Sequence, residues 1–301
     1  MKADRPSATA RTIALGTVLL KADPRFGRLV SPEAAETCRA FLEAASPRGL
    51  NLARLCDRSW FRAFMGWMER ATLPGLRLHY ALRKRFIEEV ARRSLGEGTR
   101  QLVVLGGGFD TLALRLHPEF PERRFIEIDH PATQRIKLKA LEGRRAPGPN
   151  LRLVPADFTR ETLEEVLLNR TPFDPGLRTL FVMEGVLMYL EVEDIDRIFS
   201  FVRRRSPAGS RFAFTFMTLR PGGRLGFARS SPLVDTWLRL MGEPFRWGLR
   251  RDDLAGFLRS RGLELEELAT PETFRRVYLE PEGMGTPVLA EGECVAVARV
   301  P

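Results

Sequence analysis

The sequence is poor in the residues that build metal centres and disulfide frameworks. Its 301 residues hold three cysteines (Cys38, Cys56 and Cys294) and three histidines (His79, His117 and His130). The cysteines are odd in number and widely spaced, and no CxxC or Cys/His cluster exists. Neither a disulfide scaffold nor a structural zinc site is expected, and a reducing, cytoplasmic setting fits best. No bound metal is expected either. No apolar run approaches the roughly 20 residues that cross a bilayer, so no membrane partner is expected. The run Ile13 to Leu20 is short, contains Gly16 and Thr17, and lacks a small-residue cleavage site, so it does not read as a signal peptide. Internal repeats and long low-complexity segments are missing too. So is a Walker phosphate loop, GxxxxGK followed by Ser or Thr.

Charge of one sign is in excess. The net charge is +10 and the isoelectric point about 10.3, with arginine supplying nearly all the positive charge. Short runs such as Arg92-Arg93, Arg144-Arg145 and Arg203-Arg204-Arg205 are interspersed with acids. No basic motif interleaved with aromatics appears, so a solvated surface is read here and nucleic acid is not the expected partner. The hydrophobic share of 44% and charged share of 29% are those of a globular protein large enough to bury a sizeable core.

The stretch QLVVLGGGFDTLALRL, Gln101 to Leu116, organises what is present. Leu102 to Leu105 read as a central parallel strand. Gly106, Gly107 and Gly108 follow at once, where a backbone without Cβ atoms lets a ligand lie directly on the turn. Asp110 or Thr111 is placed to cap the next helix. A glycine turn between strand and helix commonly holds a nucleotide-like cofactor. Thr111 stands where GxGxxG would have its third glycine, which favours a cofactor without phosphates.

Acids then recur at strand ends. Phe125 to Ile128 predict a second strand ending in Asp129, about twenty residues past the glycines, where a carboxylate can accept both hydroxyls of a ribose. Glu127 lies on the same strand face and is an alternative. Leu151 to Phe158 predict a third strand ending at Asp157, which can accept from an adenine amine with Phe158 against the ring. The other reading of Asp157 is a cap for the helix TRETLEEVLLNR. Thr179 to Leu190 predict a fourth strand and its exit, with Glu184 alone among apolar residues, a costly position unless it is paired or faces a cleft.

The order of elements points to a doubly wound α/β domain, residues 76–301, behind an N-terminal helical cap or lid, residues 1–75. Residues 219–248 read as an insertion near the active face. In the cap, Trp60, Phe61, Phe64, Met65, Trp67 and Met68 form a stripe read as core, as a lid over an apolar pocket or as an oligomer contact.

Taken together, VVLGGGFDTLALRL, FIEIDHPATQRIKLKAL, VPADF and LFVMEGVLMYL resemble the leucine carboxyl methyltransferase-like family of S-adenosylmethionine-dependent methyltransferases, with bacterial members the nearer match at RKRFIEEV and GEPFRWGLRRDDLAGFLRSRGLEL. The resemblance covers roughly residues 70 to 300. It implies a class I methyltransferase fold, Rossmann-like and seven-stranded, with the last strand antiparallel. It also implies S-adenosyl-L-methionine as cofactor. Gly106 and Gly108 would lie under its methionine and ribose, Asp129 would hold the ribose, and Asp157 with Phe158 the adenine. Glu184 would meet its amino group and Arg83, or alternatively Arg77, its carboxylate.

The expected reaction is O-methylation of a carboxylate or acidic hydroxyl on a small molecule or peptide. A carboxylate is already ionised at neutral pH and needs no base. Tyr189 and Arg246 are candidates to orient the acceptor, and no residue is assigned as catalytic. Two other readings are a cofactor-binding protein without turnover and a nucleic-acid methyltransferase, the latter lacking an NPPY-like segment where VMEGVLMYL stands.

Overall fold

A computed structural model describes residues 7–46, 51–142, 147–158, 160–220 and 222–301. The pair Arg144-Arg145 lies outside the described residues. The chain opens with helices α1 (Ala8–Lys21), α2 (Pro32–Ala45), the single turn α3 (Leu52–Leu55), α4 (Ser59–Thr72) and the long α5 (Leu76–Gly96). Ser7 and Ser31 cap α1 and α2 with their side chains, and Pro32 opens α2 where no N–H is needed. Gly75 precedes α5 with φ +79, a conformation strained for any side chain.

Strands and helices then alternate: β1 (Gln101–Leu105), α6 (Leu112–Leu116), β2 (Arg124–Asp129), α7 (Pro131–Leu141), β3 (Leu151–Pro155), α8 (Leu163–Arg170), β4 (Thr179–Met183), α9 (Val192–Arg204) and β5 (Arg211–Met217). After β5 come α10 (Pro232–Met241), α11 (Leu254–Arg259), β6 (Glu264–Ala269), α12 (Pro271–Phe274) and β7 (Glu293–Arg299). The seven strands form one sheet in the order β3-β2-β1-β4-β5-β7-β6. All pairs are parallel except those of β7, which runs antiparallel to β5 and β6.

Strand alternation divides the core. Leu102 and Val104 face α5 and α6, together with Phe125, Leu180 and Val182. Val103 and Leu105 face α8, α9 and α11, together with Ile126, Phe181 and Phe199. Burial on both faces is why these strands read as unbroken apolar runs. The cap has its own core of Ala14, Val18, Phe41, Ala53 and Phe61, closed against Phe109 and Ala140 of the α/β domain.

The segment after β5 leaves the sheet and returns where Thr218 bridges Leu249, so residues 219–248 emerge from the carboxyl edge. After β6, PETF forms α12 and continues into a π-helical turn, Arg275–Leu279, with Phe274 and Tyr278 buried. One local expectation changes. Asp157 does not cap α8. Thr162 does, in a reciprocal capping box with Glu165.

Candidate active site

Strand order reverses between β1 and β4, and the glycine turn lies at that switch point, where open α/β sheets hold their ligands. Gly106 has φ +70 and Gly108 φ +52. The Gly106 and Gly107 amides both donate to the Ile128 carbonyl, which ties the turn to the end of β2. The turn has no room for side chains. A Cβ on Gly106 would stand 2.6 Å from Val186 Cγ2, and one on Gly107 would stand 2.7 Å from Glu127 Cδ. A Cβ on Gly108 would meet Ala10 at 3.2 Å, so the first turn of α1 lies over the glycines. Asp110 accepts from the Leu112 amide and is the acid that starts α6.

Asp129 closes β2 beside this turn. One carboxylate oxygen, Oδ2, is buried without a hydrogen-bond partner among the described residues. Burial pushes its carboxyl up, against the pull of the His130 amide, Lys137 and the Gly108 amide. An orphaned acceptor costs free energy, and a ligand hydroxyl would satisfy it. Glu127 is placed differently. It is fully buried beneath Gly107 and bonded to the equally buried Lys137 ammonium, which also donates to the Asp110 carbonyl at 2.6 Å. This pair props the turn from below.

The Ala156 amide donates to the Asp129 carbonyl, which brings Asp157 to the neighbouring strand end. Phe158 follows it and is 46% exposed, an open aromatic face at the mouth.

Across the switch point, Glu184 ends β4, and Gly185 turns the chain with φ +69. The structure brings Glu184 and Arg83 into direct contact. Arg83 Nε and Nη2 donate to Glu184 Oε1 at 2.9 and 2.6 Å. Arg83 Nη1 donates to both oxygens of Glu293 at 2.7 Å, and the guanidinium lies over the Tyr80 ring. All three guanidinium nitrogens are therefore engaged by these two carboxylates. Lys84, the next residue, bonds Asp110 at 2.7 Å and Glu184 at 3.2 Å. Burial pushes Glu184 up, although Lys84 and Arg83 pull it down. Burial likewise opposes ionisation of Glu293, yet Arg83 and then His79 bring its carboxyl down to about 2.

Beyond the end of β4, Tyr189 stacks on Phe245 with ring centres 5.6 Å apart. Burial holds its hydroxyl well above the usual phenol range, opposed by a hydrogen bond with Thr9. Thr9 in turn donates to Glu243 through its amide and its hydroxyl, so α1 and the segment after β5 are clasped together. Met188, Met217, Phe227 and Leu73 complete an apolar cluster here. Arg246 turns outward to an exposed pair with Glu191, and Arg77 pairs with Glu69.

Sequence reasoning passed over Lys84, Lys137, Glu293 and the Thr9–Glu243 contact. The scarcity of lysine was a partial signal for the first two, which are among only five lysines (Lys2, Lys21, Lys84, Lys137 and Lys139) in a chain rich in arginine. Glu293 had no local signal, since it meets Arg83 across 210 residues.

Comparisons with known proteins bear on the family and the fold. The leucine carboxyl methyltransferase family model matches residues 13–203. A relative from Mycobacterium sp. (strain JLS), provisionally named an S-adenosyl-L-methionine-dependent methyltransferase, is 33% identical over 224 residues, 72% of each chain. One of the same name from Mycobacterium bovis (strain BCG / Pasteur 1173P2) is 27% identical over 287 residues, 90% of this chain and 85% of its own. A crystal structure of a protein from Thermobifida fusca YX, provisionally named a methyltransferase, superposes with a TM-score of 0.56 at 17% identity, covering 99% of this chain and 96% of that one. A DUF574 family protein from Streptomyces avermitilis MA-4680 gives 0.54 at 17% identity, covering 98% of both, and these two show the shared fold. The chain belongs to the leucine carboxyl methyltransferase family of S-adenosylmethionine-dependent enzymes.

Proposed function

We propose that this S-adenosylmethionine-dependent methyltransferase transfers its methyl group to an oxygen of a small molecule or peptide, either a carboxylate or an acidic hydroxyl. The cofactor supplies an electrophilic methyl on a sulfonium. The chain's own residues bind it, orient the acceptor and exclude water. Gly106 and Gly108 form the cradle, Asp129 offers its unpartnered oxygen to the ribose, and Asp157 with Phe158 receives the adenine. Glu184, raised by burial, gains from an incoming ammonium. Arg83 and the Lys84 ammonium would meet the cofactor carboxylate.

The observation that carries the acceptor class is the commitment of every histidine elsewhere. His79 is buried against Glu293, His117 is bonded to the Ala113 carbonyl and the Gly148 amide, and the His130 side chain caps α7. Burial holds the Tyr189 hydroxyl protonated, so it offers no phenolate base. An acceptor that must lose a proton in the transition state gains no base from these groups, whereas an ionised one needs none. Positioning in a closed apolar site then supplies the acceleration, on the order of 7–11 kcal/mol at most.

Two measurements test this. Calorimetric titration with S-adenosylhomocysteine should show binding by the parent and a large loss in Asp129→Ala. A folded parent that binds none would sink the site assignment. Transfer of tritiated methyl to lysate fractions should yield label released by alkali as methanol if the product is an ester. Label that survives alkali and is released by nuclease would overturn the acceptor assignment in favour of nucleic acid.

A further inference from the structure

Helix α4 turns its aromatic stripe away from the core. Its buried side is Phe61 and Gly66. Trp60, Phe64 and Trp67 are 62%, 50% and 60% exposed, and their i, i+4, i+7 spacing puts them on one face. The small Ala63 and Ala71 are exposed on the same side. Phe64 and Trp67 stack on each other at 6.3 Å. A row of large aromatics in water is unusual unless something covers it.

The rim of this face is positive. Arg54, Arg58 and Arg70 are exposed and belong to no ion pair among the described residues. The acids of the segment are occupied, Asp57 by Arg39 and Glu69 by Arg77. Helix α10 adjoins the far end of α4, where the Ser231 amide donates to the Thr72 carbonyl, and it too exposes leucines, Leu233 at 70% and Leu240 at 71%.

We infer that the α4 face docks the enzyme on the surface of an anionic bilayer. An amphipathic helix with Trp and Phe on one face and arginine at its edges is suited to lie in the headgroup layer. A second copy of the chain fits less well. A two-fold contact on this face would bring two sets of unpaired arginines together with no acid to meet them. No helix among the described residues is long and apolar enough to cross a membrane, and docking on its surface needs none.

The test is co-sedimentation with vesicles, measured without turnover and so independent of the methyl acceptor. With phosphatidylcholine vesicles containing about 30% phosphatidylglycerol, the parent should bind and its tryptophan emission should shift to the blue. Pure phosphatidylcholine should bind it at least about tenfold more weakly, and raised salt should weaken binding to the anionic vesicles. Trp60→Ser/Phe64→Ser/Trp67→Ser should lose about tenfold or more while keeping the parent's circular dichroism and thermal midpoint. Arg58→Gln/Arg70→Gln should lose the salt-dependent part. Two results overturn the inference. One is a parent that ignores anionic vesicles, or a triple variant that binds them as well as the parent does. The other is a parent found dimeric by light scattering and made monomeric by the triple variant, which would assign the face to a second copy.

Discussion

Replacing Lys137 by Met should destabilise the protein in a pH-dependent way. The Lys137 ammonium and the Glu127 carboxylate are both fully buried beneath Gly107, and the ammonium also holds the Asp110 carbonyl at 2.6 Å. Removing the cation strands a carboxylate in the interior, which costs about 3–5 kcal/mol. With an unfolding entropy of about 2.1 cal/mol/K per residue, a chain of 301 residues should lose about 5–8 °C in midpoint. Burial already pushes the Glu127 carboxyl up to about 7 against the pull of Lys137, and losing Lys137 raises it further.

An acid whose folded pKa lies above its unfolded value binds more protons in the folded state. Stability therefore falls as pH rises from the unfolded value, near 4.3, through the folded one. The penalty of Lys137→Met should accordingly be large at pH 8 and smaller at pH 5. Glu127→Leu/Lys137→Met, which removes both charges, should recover much of it. Urea melts of the three proteins at both pH values check this. A single variant that loses under about 1 kcal/mol, or equally at both pH values, would refute the reasoning. So would a double variant no more stable than the single one.

Other outcomes follow from the same geometry. Gly106→Ala must accept φ +70 and a 2.6 Å approach to Val186, and should weaken S-adenosylhomocysteine binding at least about tenfold by calorimetry; adding Val186→Ala should relieve only the steric part. Glu293→Gln should cost about 3–5 kcal/mol at pH 7, because Arg83 loses a buried counter-charge. The Glu293 contribution is present above its unfolded pKa and lost as pH falls toward about 2, so the variant's acid unfolding limb should be flatter than the parent's. Thr9→Val keeps the amide bond to Glu243 and removes the hydroxyl bond, and should speed dissociation of S-adenosylhomocysteine about five- to tenfold in stopped flow, the equivalent of one hydrogen bond.

The sequence by itself determined the α/β alternation, the glycine turn and the acids at the strand ends. Those features are local. A strand buried on both faces must be apolar throughout, a turn crossed by Val186 and Glu127 admits only glycine, and each acid stands within a few residues of the strand it ends. The tertiary structure set Glu127 and Asp129 apart, although both share one strand face, because only Glu127 meets the buried Lys137 ammonium beneath the glycine turn. It also decided that Arg83 is shared between Glu184 and Glu293, a contact spanning 210 residues that no spacing rule anticipates. The outward turn of Trp60, Phe64 and Trp67 was beyond periodicity for a related reason. A helix apolar on two sides has two candidate inner faces, and the choice fell to the side that carries Phe61 and Gly66.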